Sequence, residues 1–162
     1  MTRRHTENGA AAIEFAILLI PLLVIVTGIT EIGRAMYYYN TLTKSVRDAA
    51  RLLSTQAPTD PDYATLKATA ACLAVYGNSG CSGSALVPGL SETMFSVCDA
   101  ASCPETHSAV ATGTGAINLV TVTIGATGNE YTFTSLAAFA PALFGVPSIQ
   151  FSAISVTMRQ II

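Results

Sequence analysis

The chain has 162 residues, of which 51% are hydrophobic and only 11% charged, with a formal net charge of -2. That leaves room for one membrane span and one domain of roughly 110 residues with its own core, and puts much of the polar surface on Ser, Thr, Asn and Gly. Residues 1–51 hold six basic and four acidic residues, whereas residues 52–162 set only Lys67 and Arg159 against six acids. The distal part thus lacks the basic footprint of a nucleic-acid binder, and no nucleic-acid partner is expected.

Met1 to Gly9 is short and polar and carries Arg3, Arg4 and His5. Beyond it, Ala10 to Ile13 and the uncharged stretch from Phe15 to Thr30 make an apolar track longer than the ~20 residues that a bilayer-spanning helix needs. One carboxylate, Glu14, sits inside it. An ionisable group at the centre of a membrane helix costs roughly 3 kcal/mol, which a plain anchor has no reason to carry, so Glu14 is a candidate functional residue. A secretory signal peptide fits poorly. The apolar run is too long for an h-region, and the small residues Gly9, Ala10, Ala11 and Ala12 stand before the run, so a cut there leaves the span attached.

After the span, Ile32, Ala35, Met36, Tyr39, Leu42, Val46, Ala49, Ala50 and Leu53 recur at helical spacing, with Glu31, Arg34, Lys44, Arg47, Asp48 and Arg51 largely off the stripe. One helix is predicted from Ala10 to Ser54, roughly 65 Å long, with Pro21 bending rather than ending it. Tyr37, Tyr38 and Tyr39 read equally as an aromatic belt at the headgroups or as ordinary tyrosines of the following domain. Gly28 and Gly33 are candidate close-packing points. Pro58 and Pro61 stop the helix, and Asp60-Pro61 is expected to cap a second one running to Tyr76, ended by Gly77 to Gly80.

From Cys81 to Gly115 the chain reads as a turn-rich excursion with short ordered pieces. Leu119 to Ile124 and Glu130 to Thr134 alternate apolar and polar residues and are predicted to pair as an antiparallel hairpin. Phe139 to Pro147 reads as an apolar connection, and Ile149 to Met158 as a final strand. The expected fold is α+β: a leader at 1–9, a transmembrane and amphipathic helix at 10–54, and a domain at 55–162 with a small antiparallel sheet.

Arg3 and Arg4 on one flank face Arg34, Lys44 and Arg47 on the other, so the positive-inside rule does not orient the span by itself. The four cysteines, Cys72, Cys81, Cys98 and Cys103, all lie beyond the span, and with the low-charge distal domain they favour an extracytoplasmic C-terminal part in which disulfides persist. Of the three possible connectivities, Cys72 with Cys81 and Cys98 with Cys103 are expected as nearest neighbours. The spacings are unlike paired C-x₂-C knuckles, so no metal site is expected. The same reading expects no cofactor and no enzyme. His5 and His107 fall on opposite sides of the span, no Gly-x-Ser-x-Gly elbow occurs, and Gly113-Thr-Gly115 lacks the third glycine and the strand-loop-helix context of a dinucleotide loop.

A basic leader, Gly9, and then Ala-Ala-Ala-Ile-Glu-Phe resembles the processing site of type IV prepilins and pseudopilins. The whole stretch RRHTENGAAAIEFAILLIPLLVIVTGITEIGRAMYYYNTLTKSVRDAARLLS is similar to TadE-like proteins of tight-adherence (Tad/Flp) pilus systems. The resemblance covers the first third of the chain closely, and LVTVTIG and FSAISVTMRQ more loosely. It implies cleavage between Gly9 and Ala10 by a prepilin peptidase, after which Glu14 is the fifth residue and Phe15 follows. It also implies a minor pseudopilin of the inner membrane that assists assembly of the main Flp pilin, in contact with other pilin-like subunits and the assembly machinery. Two alternatives stand beside it. The Cys81 to Gly115 region could be an adhesive module at a pilus tip, or the chain an unrelated signal-anchored envelope protein.

Overall fold

A computed structural model of the chain describes residues 4–136 and 148–161, with side chains from Gly9 onward. The expected apolar connection from Phe139 to Pro147 lies outside the described residues. The fold is α+β, a long apolar N-terminal helix followed by small antiparallel sheets. The elements are α1 (Arg4–Leu53), α2 (Tyr63–Tyr76), β1 (Phe95–Asp99), α3 (Pro104–His107), β2 (Val110–Thr112), β3 (Gly115–Ile124), β4 (Thr132–Thr134), β5 (Ser148–Gln150) and β6 (Ile154–Gln160). The chain divides into two units, Met1–Met36 with Thr134–Pro147, and Tyr37–Phe133 with Ser148–Ile162.

In the first unit α1 runs through Pro21 without ending. The hydroxyls of Thr27 and Thr30 donate to the carbonyls of Leu23, Val24 and Thr27, so these two hydroxyls are satisfied within the helix. Arg34 Nη2 contacts Glu31 Oε2 at 2.6 Å and donates to the Thr134 carbonyl at 2.9 Å.

In the second unit α1 supplies a buried stripe of Leu42, Ser45, Val46, Ala49, Ala50 and Leu53. The stripe read from the sequence is corrected at its start, since Ile32, Met36 and Tyr39 are exposed. α2 begins at Tyr63 rather than at Pro61. Asp60 does not cap it: its carboxylate accepts the Asp62 N–H at 3.2 Å, closing an Asx turn one step too early, and Asp62 occupies the cap without a side-chain bond. Gly77 ends α2 in the left-handed region, its N–H bonded to the Leu73 carbonyl; a Cβ there would stand 2.9 Å from Leu86 Cδ2.

The sheet departs most from the sequence reading. β3 is its centre and pairs antiparallel with β1, β2 and β6. The expected hairpin of Leu119–Ile124 with Glu130–Thr134 does not form, because β4 pairs with β5 in a separate two-stranded sheet. Gly125 ends β3 at φ 75°, and its N–H bonds to Met94 O at 3.0 Å, so the exit of β3 is held by the entry to β1. The expected final strand is two strands, β5 and β6, and the Cys81–Gly115 excursion contributes β1 and β2 to the sheet. Val120, Val122, Ile124 and Ile154 form the inner sheet face, and Tyr131, Phe133 and Phe151 cluster, with Tyr38 edge-on to Phe133 at 5.6 Å.

A polar network runs through this core. Gln160 Nε2, fully buried, donates to Leu53 O at 3.3 Å, Gln56 O at 3.1 Å and Tyr63 Oη at 2.8 Å. Asp99, near Tyr63, takes the Ser102 N–H and hydroxyl at 2.8 Å and pairs with Lys67 Nζ at 2.6 Å. Burial alone would raise the Asp99 carboxyl, but Lys67 and Ser102 outweigh it and hold the group at about 2, below its usual 3.8. Because the folded value is depressed, the stabilisation is complete above the unfolded value and is lost as pH falls through about 2. Allowing for screening at the half-open Lys67 end, it amounts to about 1–2 kcal/mol. Tyr63 has the opposite sign: burial first, then Asp99, push its hydroxyl up to about 12, so its contribution is lost only as pH rises through that value. Thermal unfolding followed from neutral pH downward should show the acid loss in wild type and not in Asp99→Asn.

Candidate functional site: the exposed N-terminal helix segment

Gly9, Ala10, Glu14 and Phe15 lie on the first turns of α1. Ala10–Ala12 favour helix strongly, and the chain between Arg4 and Leu53 holds one proline, so the segment is helical from local propensity alone. Its side chains are exposed. Phe15 is 66% exposed, and Ile13, Ile17, Leu18, Ile20, Leu22, Leu23, Ile25 and Ile29 are exposed with it. Covering each such side chain gains about 1.5–3 kcal/mol, which is the physical reason for this helix to lie in lipid or against other helices. Among the described residues there is one helix long and apolar enough to cross a membrane, and it is this one.

Glu14 is exposed on the same surface, and among the described residues it has no hydrogen-bond or ion-pair partner. Among the described residues a Cβ added at Gly9 would meet nothing within 4 Å, and the same holds at Gly33, so no described neighbour requires either glycine. Tyr37 and Tyr39 are exposed and Tyr38 half-buried.

The structure joins Cys72 to Cys81 and Cys98 to Cys103, the nearest-neighbour pairing, with Cα atoms 4.7 and 5.5 Å apart. Their surroundings differ. Cys72 is buried in α2 and Cys81 exposed in the following loop, with the Glu92 carboxylate within 4.8 Å of both sulfurs. Cys98 lies on β1 and Cys103 just before α3, both half-buried. α3 turns His107 back over this second bridge. Its Nδ1 stands 3.4 Å from Cys98 Sγ and 2.7 Å from Thr106 Oγ1, and its Nε2 stands 2.7 Å from Thr121 Oγ1, itself 2.7 Å from Thr157 Oγ1.

The sequence reading set His107 aside because it found no catalytic constellation. The available signal was the placement of His107 one helical turn after Cys103. Asp99 was missed as well, although Asp99-x-x-Ser102 is the local pattern of its hydrogen-bonded turn. An open cleft of about 320 Å³ is lined by Gly125, Thr127, Glu130, Gln150, Phe151 and Ser152. Its one carboxylate, Glu130, is engaged by the Gly128 N–H at 3.0 Å.

An exposed apolar helix with a carboxylate near its start, followed in the chain by a small disulfide-bonded α+β domain, fits a single-pass membrane protein. Residues 9–51 match the family described as TadE-like protein, so the resemblance holds and the chain carries a TadE-like N-terminal segment. The match begins at Gly9 and ends within α1. No curated protein and no solved structure matches the chain.

Proposed function

We propose that this chain is a non-enzymatic, pseudopilin-like subunit of a tight-adherence (Tad/Flp) pilus or related secretion assembly. It is inserted in the inner membrane with its C-terminal domain outside the cytoplasm and cut between Gly9 and Ala10 by a prepilin peptidase. The observation that carries this reading is the TadE-like match over residues 9–51, which starts at Gly9 and includes Glu14 on an uncovered helix surface. The exposed apolar helix supports membrane residence, and the disulfides support an oxidising compartment on the far side.

In this reading Glu14 is an assembly contact. Cleavage creates an α-amine at Ala10, largely charged at neutral pH, at the edge of a low-dielectric slab. Within one helix the amine and the Glu14 side chain are joined by a rigid turn, whereas the amine of a neighbouring subunit can approach freely and offset the desolvation of both charges. Glu14→Leu is therefore expected to insert and be cleaved as well as wild type, yet to lose co-purification with other pilin-like subunits and, with it, piliation. Unchanged co-purification and normal piliation in that variant would sink the assembly role.

A further inference from the structure

We infer that Cys98–Cys103 is a thiol–disulfide exchange site for dithiol reductants, and that Cys72–Cys81 is not. Both bridges are reached from the surface through at least one partly exposed sulfur, so access alone does not separate them. The groups beside the sulfurs do. Exchange proceeds by attack of a thiolate on one sulfur and departure of the other as a thiolate, so a neighbouring proton donor speeds it and a neighbouring carboxylate opposes it.

At Cys98–Cys103 the donor is His107, with Nδ1 3.4 Å from Cys98 Sγ. The ring is held from three sides by Thr106, Thr121 and the half-buried sulfur, and Thr157 continues the chain of hydroxyls behind Thr121. In the tautomer whose Nε2 accepts from the Thr121 hydroxyl, Nδ1 carries a proton shared between Thr106 Oγ1 at 2.7 Å and Cys98 Sγ at 3.4 Å. The first thiolate of the dithiol attacks Cys103 Sγ, forming a mixed disulfide and breaking the Sγ–Sγ bond. The electron pair goes to Cys98 Sγ, whose thiolate is stabilised by the Nδ1–H hydrogen bond and takes its proton from water. The second thiol of the reductant then attacks its own sulfur in the mixed disulfide and releases Cys103. The dithiol ends as a disulfide and the cystine as two cysteines, so electrons and atoms balance.

At Cys72–Cys81 the exposed sulfur is Cys81, and attack there would expel a thiolate from Cys72, which is 4% exposed. That thiolate would form against the Glu92 carboxylate, within 4.8 Å. Like charges at that distance in a half-desolvated site disfavour both the attacking and the leaving anion.

The test uses the full chain in detergent micelles, treated with dithiothreitol at neutral pH, quenched with iodoacetamide over time and mapped by peptide mass. Cys98 and Cys103 are expected to be alkylated at least about tenfold faster than Cys72 and Cys81. His107→Gln should slow opening of Cys98–Cys103 by about five- to tenfold and leave Cys72–Cys81 unchanged, while Glu92→Gln should speed the latter. Equal rates for the two bridges, earlier opening of Cys72–Cys81, or an unaltered rate at Cys98 in folded His107→Gln would each overturn the assignment. The wild-type rate ratio needs no variant, so it decides the question even where His107→Gln does not fold.

Discussion

Gly9→Val is expected to accumulate entirely as the uncut chain in cells with an active prepilin peptidase, with no change in the stability of the distal domain. The two halves of that expectation come from different observations. A Cβ at Gly9 meets no atom within 4 Å among the described residues, so no described contact opposes the added side chain, and the difference left is one of helix propensity. Under the proposed processing, the requirement for glycine lies outside the chain, in a peptidase that closes around the Gly9–Ala10 bond. Intact-mass measurement on the membrane fraction reads the result, since wild type should begin at Ala10 and the variant at Met1. A wild-type chain that keeps residues 1–9 in such cells would count against the family's processing scheme, and a cleaved Gly9→Val would show that the peptidase does not read this residue.

Asp99→Ala is expected to produce the largest loss of folding stability, about 3 kcal/mol, lowering the thermal midpoint of the distal domain by roughly 10–20 °C. The side chain is fully buried and serves Lys67, the Ser102 N–H and hydroxyl, and the Ala101 N–H at once. Truncation leaves the Ala101 and Ser102 N–H groups and the Ser102 hydroxyl without their acceptor, and Lys67 on α2 without its partner. It also loosens the β1 end that carries Cys98. Asp99→Asn separates charge from geometry: it keeps an oxygen for the Ala101 and Ser102 N–H groups and loses the attraction to Lys67, so its loss should be about half as large. Equal losses in the two variants would show that the charge, rather than the hydrogen-bonded turn, holds this corner.

The exchange chemistry and the polar network meet at the same turn. Asp99 follows Cys98 directly, and the Cys103 N–H bonds back to the Asp99 carbonyl at 2.8 Å. The Cys98–Cys103 loop is therefore closed by a bridge, a backbone bond and a carboxylate-centred turn. Opening the bridge leaves the other two in place, consistent with a disulfide that exchanges without unravelling β1.

What the sequence determined by itself is what depends on neighbours along the chain. The uncharged run from Phe15 to Thr30, the small residues before it and the phasing from Gly9 to Glu14 are local patterns, and the helix and the TadE-like match over residues 9–51 follow from them. Val120, Val122 and Ile124 alternate within one strand, so β3 was legible too, and so were the nearest-neighbour cysteine pairs. Tertiary structure decided which strands β3 would take as partners. Pairing with β1 and β6 joins segments far apart in sequence, and nothing in Glu130–Thr134 marks it as a strand that prefers β5 to its nearer neighbour. It also decided which stripe residues become core, Ala35 and then Leu42 onward but not Ile32, Met36 or Tyr39, because burial depends on what stands opposite and not on periodicity. The burial of Gln160 against the end of α1 and the placement of His107 over Cys98 have the same origin, since each is a contact across the fold that no single stretch of the chain encodes.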